Sequence, residues 1–140
     1  MRISILLPYK ENFSPTYAGA VSLFVKDTVK LSEYKKYITV FGNTTLGNIY
    51  KLNYKNIELK KNLIQSGSKV YVNEFLKFEK ASPSDLIEIH NRPNYFHLIH
   101  KNLQNKKIVL YFHNDPLTMT GSKSINDRKK LLFNATKIIF

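Results

Sequence analysis

The chain has no cysteine and no tryptophan, and its 140 residues include only 5 glycines, 5 prolines and 10 acidic side chains. Without cysteine, a disulfide framework, a catalytic thiol and a thiolate zinc site are excluded. The scarcity of glycine leaves no Gly-x-Gly-x-x-Gly turn, no Gly-x4-Gly-Lys-Ser/Thr loop and no Gly-x-Ser-x-Gly elbow. The usual dinucleotide site, the nucleoside triphosphate loop and the serine hydrolase nucleophile are therefore not expected. His97 and His100 lack the His-Glu-x-x-His spacing of a zinc helix, and no Asp-x-Asp pair occurs, so no metal ligand set is read. No apolar run approaches the roughly 20 residues of a membrane span. The N-terminal run Ile3 to Leu7, interrupted by Ser4 and stopped by Pro8, is shorter than a signal-peptide core of about 7–15 residues. The expected location is the cytoplasm. The triplets at Asn12, Asn43 and Asn134 that match Asn-x-Ser/Thr are read as chance.

What is abundant is positive charge: 22 Lys and Arg against 10 Asp and Glu give +12. Such a surface suits a polyanion, an anionic membrane face or a phosphate ligand. It equally suits a lysine-rich chain with solvated faces, and the bases are mostly scattered lysines with three arginines. Hydrophobic residues make up 43%, enough for a packed core, and the length fits one domain spanning residues 1–140.

Apolar residues alternate between strand-like runs and helical spacing. Ile3 to Leu7, Tyr37 to Phe41, Leu86 to Ile89, Ile108 to Phe112 and Lys137 to Phe140 read as strands buried on both faces. Helices are expected through Val21, Val25 and Val29, from about Ser68 to Lys80, through Tyr95, Phe96, Ile99 and Leu103, and through Leu131, Leu132 and Ala135. The last opens on Ser124 to Asp127, which resembles a capping box. Ile49 to Leu59 is ambiguous, with one or two short strands expected. Strands alternating with helices predict an α/β fold: a Rossmann-like, open, mostly parallel sheet with helices on both faces and right-handed crossovers. The chain ends on a strand with no turn or helix after it, so it is read as one half of something larger.

In such a sheet, ligands bind beyond the carboxyl ends of the strands. The residues there are Tyr9, Lys10 and Glu11; Gly42, Asn43 and Thr44; His90, Asn91 and Arg92; and His113, Asn114 and Asp115. His97 and His100 lie within a helix and read as partly exposed surface. His90 and His113 read either as loop caps or as two imidazoles lining one cleft, where they suit sugar hydroxyls or proton transfer near neutral pH. Arg92 reads as a clamp for a phosphate or carboxylate, or as a surface ion pair with Glu88. Asn114 and Asp115 fit a turn as readily as a ligand contact. Gly19 and Ala20, at a helix start, suit either a phosphate or a plain turn.

Four segments carry a resemblance: Ile3 to Pro8 (ISILLP), Tyr17 to Val21 (YAGAV), Asp85 to Pro93 (DLIEIHNRP) and Ile108 to Asp115 (IVLYFHND). In this order they resemble the N-terminal, acceptor-side domain of a family 4 glycosyltransferase of the GT-B architecture. The resemblance covers almost the whole chain, and Ala135 to Phe140 is similar to the strand before that family's inter-domain crossing. It implies a retaining glycosyltransferase. Such an enzyme moves a sugar from a nucleotide-diphosphate donor to a glycan or lipid-linked acceptor, without a cofactor or metal, in cell-surface polysaccharide or lipopolysaccharide synthesis. It further implies that His113 is the catalytic cleft histidine. His90, Asn91 and Arg92, with Asn114 and Asp115, fall on the acceptor side, and Gly19 and Ala20 on the donor-phosphate or acceptor loop. The family's Gly-Gly pair is here Ala18-Gly19. The implied partners are a C-terminal donor domain outside these residues, the acceptor, and peripheral contact with an anionic membrane, but no nucleic acid. Alone, the chain is expected to show no transfer. The rival readings are a non-catalytic basic module for nucleic acid or phosphate ligands, and a flavodoxin-like regulatory domain.

Overall fold

The structure, a computed structural model, describes residues 1–59 and 66–140. Six strands, β1 (Ile3–Leu6), β2 (Ile38–Gly42), β3 (Tyr54–Asn56), β4 (Leu86–His90), β5 (Lys107–Tyr111) and β6 (Lys137–Ile139), form one sheet. Its order is β3-β2-β1-β4-β5-β6 and every pairing is parallel. The helices are α1 (Ala20–Leu31), α2 (Gly67–Ala81), α3 (Pro93–Asn102) and α4 (Ile125–Asn134). This is the expected α/β, Rossmann-like fold. Its strand order reverses direction between β1 and β4, which opens a crevice beyond their carboxyl ends.

That reversal also decides which helix covers which face. A right-handed crossover moving from β1 to β2 puts its helix on one face; one moving from β4 toward β6 puts it on the other. Accordingly Val21, Val25 and Val29 of α1 pack with Ile3, Ile5, Leu7, Ile38 and Val40. Helices α2, α3 and α4 bring Tyr71, Phe75, Phe96, Ile99 and Leu131 against Leu6, Ile87, Ile89, Ile108 and Leu110. Strand alternation then places Glu88, His90, Tyr111 and His113 on the α1 side. Among the described residues no helix but α1 covers that side.

Local chemistry fixes the element ends. Ser66 caps α2 by accepting from the Lys69 N–H, and Ser124 caps α4 by accepting from the Asp127 N–H at 3.0 Å. The ambiguous stretch 49–59 yields one strand, β3; Asn53 and Tyr54 tie its start to β2 through side-chain bonds to the Ile38 carbonyl and Thr44. Tyr37 falls in a 3-10 turn, Lys35–Tyr37, rather than in β2. Gly121 has φ +97 and lies so close to α3 that a Cβ there would stand 2.5 Å from the Asn94 nitrogen. Its carbonyl accepts from His97 Nε2 at 2.7 Å, which clips the loop after β5 to α3. His97 and His100 are both half-buried. No helix among the described residues is long and apolar enough to cross a membrane.

Candidate functional site

Adjacent parallel strands end side by side, so the exits of β4 and β5 bring His90 and His113 together. His90 Nδ1 stands 2.9 Å from His113 Nε2, and His90 Nε2 stands 2.7 Å from Glu88 Oε1. A carboxylate only accepts, so His90 carries its proton on Nε2 when neutral. The His90 ring is fully buried and lies flat on Tyr111, with centroids 4.7 Å apart and planes 8° apart. Phe24 of α1 and His113 meet edge to face, with centroids 5.0 Å and planes 71° apart. His113 itself is exposed. Burial, and next the neighbouring His90, hold the His113 imidazole below its ordinary 6.5, against weaker pulls from Glu11 and Glu88.

His90 is thus not at the open rim; it supports His113 from beneath, and the expectation that it meets an acceptor directly gives way to an indirect role. Asn91 is buried too. It adopts φ 55, its N–H donates to the Tyr111 carbonyl at 2.7 Å, and its Oδ1 accepts from the His113 N–H at 3.3 Å. An asparagine tolerates that left-handed conformation better than most residues, and here it locks the two strand exits together. Arg92 donates to the Asn91 carbonyl at 2.8 Å and is half-buried. It makes no ion pair with Glu88, whose carboxylate faces His90. Asn114 is exposed. Asp115 is exposed and accepts from the Leu117 N–H at 2.8 Å, capping the 3-10 turn Pro116–Thr118.

Across the crevice, Gly19 is the N-cap of α1, and the Glu11 carboxylate lies against it, accepting from the Ser22 N–H at 3.1 Å. A Cβ at Gly19 would overlap that carboxylate. The helix start at Gly19 and Ala20, read as suiting a phosphate or a plain turn, therefore already holds an anion, which takes the favourable end of the helix dipole. The Ser22 hydroxyl is buried with no hydrogen-bond partner among the described residues.

Sequence reasoning missed Glu88, Phe24 and Tyr111 as parts of the site, and Glu11 as a helix cap. The signal for Glu88 and Tyr111 was strand alternation, which sets Glu88 and His90, and Tyr111 and His113, on one side. Among the described residues no group of three His, Asp or Glu is arranged to hold a metal ion. The rim offers one exposed imidazole on a buried support, a carboxylate and two aromatic rings. Such a set suits a neutral, hydroxyl-bearing ligand with an apolar face. No family model, curated protein or solved structure matches the chain.

Proposed function

We propose that the chain is the acceptor-side domain of a retaining glycosyltransferase, with a nucleotide-diphosphate sugar as donor and a glycan or lipid-linked acceptor, serving cell-surface polysaccharide or lipopolysaccharide synthesis. The observation that carries this reading is the single exposed imidazole of His113, held at the crevice over a buried histidine, beside Phe24 and within electrostatic reach of Glu11. An imidazole takes or gives a proton near neutral pH, and a carboxylate accepts from sugar hydroxyls. With Glu11 on the α1 N-terminus, the donor diphosphate belongs to a companion domain rather than to this helix end.

The test is His113→Ala in the transferase assembled with its donor-binding domain. Turnover is expected to fall about a hundredfold or more, with an unchanged circular dichroism spectrum and melting curve. Unchanged turnover removes His113 from the reaction. Tight binding of the chain to duplex DNA with a steep salt dependence would instead favour the basic binding module.

A second feature bears on where the acceptor is carried. At the opposite end of the sheet, Leu31, Tyr34 and Tyr37 are 83%, 50% and 43% exposed. Lys30, Lys35 and Lys36 stand among them, with Glu33 the lone acid, and beside them a groove of about 360 Å³ is lined in part by Arg2, Lys36 and Lys55. Tyrosine with lysine suits the interface of an anionic bilayer. The corner lies at the strand starts, so it acts as a tether and leaves the crevice turned away from the surface. Phosphatidylglycerol vesicles are expected to bind the chain, and Lys35→Ala with Lys36→Ala to weaken this about thirtyfold. Equal binding to neutral phosphatidylcholine vesicles would remove the tether.

A further inference from the structure

The chain Glu88, His90, His113 runs from a half-buried carboxylate to an exposed ring, and of its four ring nitrogens only the outer one, His113 Nδ1, has no hydrogen-bond partner among the described residues. The direction of each bond follows from the inner end. Glu88 accepts, so His90 donates from Nε2. In the neutral state the His90 Nδ1 lone pair must then accept from His113 Nε2–H. That leaves a bare lone pair on His113 Nδ1 at the rim. The half-buried carboxylate thus dictates the tautomer of a ring it does not touch.

We propose that Glu88 and His90 are positioning residues that make His113 a proton entry point whose charge is stored one ring inward. The proposal rests on the reading of His113 as the group facing the acceptor hydroxyl. When a proton arrives at His113 Nδ1, the Nε2–H proton passes to His90 Nδ1. One N–H bond forms at Nδ1, one breaks at Nε2 and one forms on His90. His113 stays neutral, with its outer nitrogen changed from acceptor to donor. The positive charge comes to rest on His90, which then donates from both nitrogens, to Glu88 and to His113. Release of the proton reverses each transfer, so the same atom serves as base and then as acid.

The surroundings favour this division. His90 is shut from solvent, stacked on Tyr111 and in contact with a carboxylate, a place that holds a cation only because Glu88 is there. His113 is near Glu11 on the loop after β1, Phe24 on α1, Tyr111 on β5 and His90 on β4. Phe24 gives a cationic His113 no counter-charge, and a charged His90 opposes a second proton on it, in line with the low basicity of that ring. Glu11 accepts from the Ser22 N–H through Oε1, and its charge favours a proton on His113 less than burial and His90 oppose it.

The experiment is an imidazole nitrogen titration by NMR of the chain labelled with nitrogen-15. At alkaline pH, His113 is expected as the Nε2–H tautomer with a bare Nδ1, and His90 as the Nε2–H tautomer. On acidification, the first proton should give His90 the shifts of a cation on both nitrogens, while His113 keeps one bare nitrogen and moves it to Nε2. Glu88→Gln should lower the midpoint of that step by about 1 pH unit or more, and Glu88→Asp should restore part of it. A first proton that makes His113 the cation would overturn the proposal. So would the opposite tautomer in the wild-type chain, which needs no variant to fold. Neither result depends on sugar transfer, so the relay can fail while His113→Ala still abolishes turnover, and the reverse.

Discussion

Lys106→Met is expected to lower the unfolding free energy by about 3–5 kcal/mol. Glu79 of α2 is 2% exposed, and its carboxylate faces the sheet. The Ser4 hydroxyl donates to Oε1 at 2.5 Å, and the Ser84 N–H and hydroxyl donate to Oε2 at 3.2 and 3.0 Å. Lys106, on the turn before β5, brings its ammonium to 3.3 Å from Oε2 and also donates to the Ser84 carbonyl. One cation therefore joins the end of α2, the entry of β4 and the entry of β5. Methionine fills the stem's volume but leaves a buried carboxylate with no counter-charge, the costly half of breaking such a pair. Glu79→Gln in the same chain should recover much of the loss, because an amide oxygen in the place of Oε2 still accepts from Ser84 while the amide nitrogen donates to the Ser4 hydroxyl oxygen. Urea unfolding of the two single variants and the double variant measures this coupling. A loss under about 1 kcal/mol for Lys106→Met would show that the charge is not buried as described.

The parallel sheet and the convergence of the histidines were legible for the same reason. Apolar runs such as Ile108 to Phe112 mark strands buried on both faces, and short alternating segments leave a parallel sheet as the simple solution. Once the strands are parallel neighbours, residues just past their ends must meet, and His90 and His113 stand just past two of them. The expectation treated the two rings as equals because exit position carries no depth. Depth comes from the pleat and from α1: His90 closes β4 beneath Phe24, whereas His113 stands two residues beyond the end of β5 and turns outward.

Glu11 and Glu79 show a different limit. Both are acids in a chain short of acids, and nothing in their immediate neighbours announces a partner. Glu11 finds the Ser22 N–H eleven residues on, because the loop after β1 folds back over α1. Lys106 reaches Glu79 from twenty-seven residues away, because β4 and β5 enter the sheet side by side. Such pairings are set by topology and become visible only when the fold is assembled. Ile49 to Leu59 reads ambiguously for a local reason, although the one short strand it holds is within what was expected. Its asparagines satisfy neighbouring backbone through side-chain bonds, as Asn53 does on Ile38 and Asn56 on Thr44, and this competes with a regular ladder.

Tyr71→Ala is expected to cost about 3–5 kcal/mol, as for other large aromatic side chains removed from a core. Tyr71 is fully buried, and its hydroxyl donates to the Leu7 carbonyl at 3.0 Å where β1 ends, with the Phe41 carbonyl at 3.4 Å. Tyr95 of α3 accepts from the Tyr9 N–H at 3.0 Å. Two phenols from beneath thus pin the first residues of the loop that carries Glu11 to the crevice. Tyr71→Phe keeps the ring and removes one hydrogen bond, for a loss of about 1 kcal/mol. The pair of variants separates packing from tethering, and pH adds an independent readout. Burial pushes the Tyr71 phenol well above its ordinary 10. From about pH 10 upward the unfolded chain gives up this proton while the folded chain keeps it. Stability is therefore complete below that pH and is lost as pH rises toward the folded value. Tyr71→Phe should flatten this alkaline decline, as measured by urea midpoints on either side of pH 10. An identical decline in the variant would mean that another group carries it and that the Tyr71 hydroxyl is not sealed under the β1 exit.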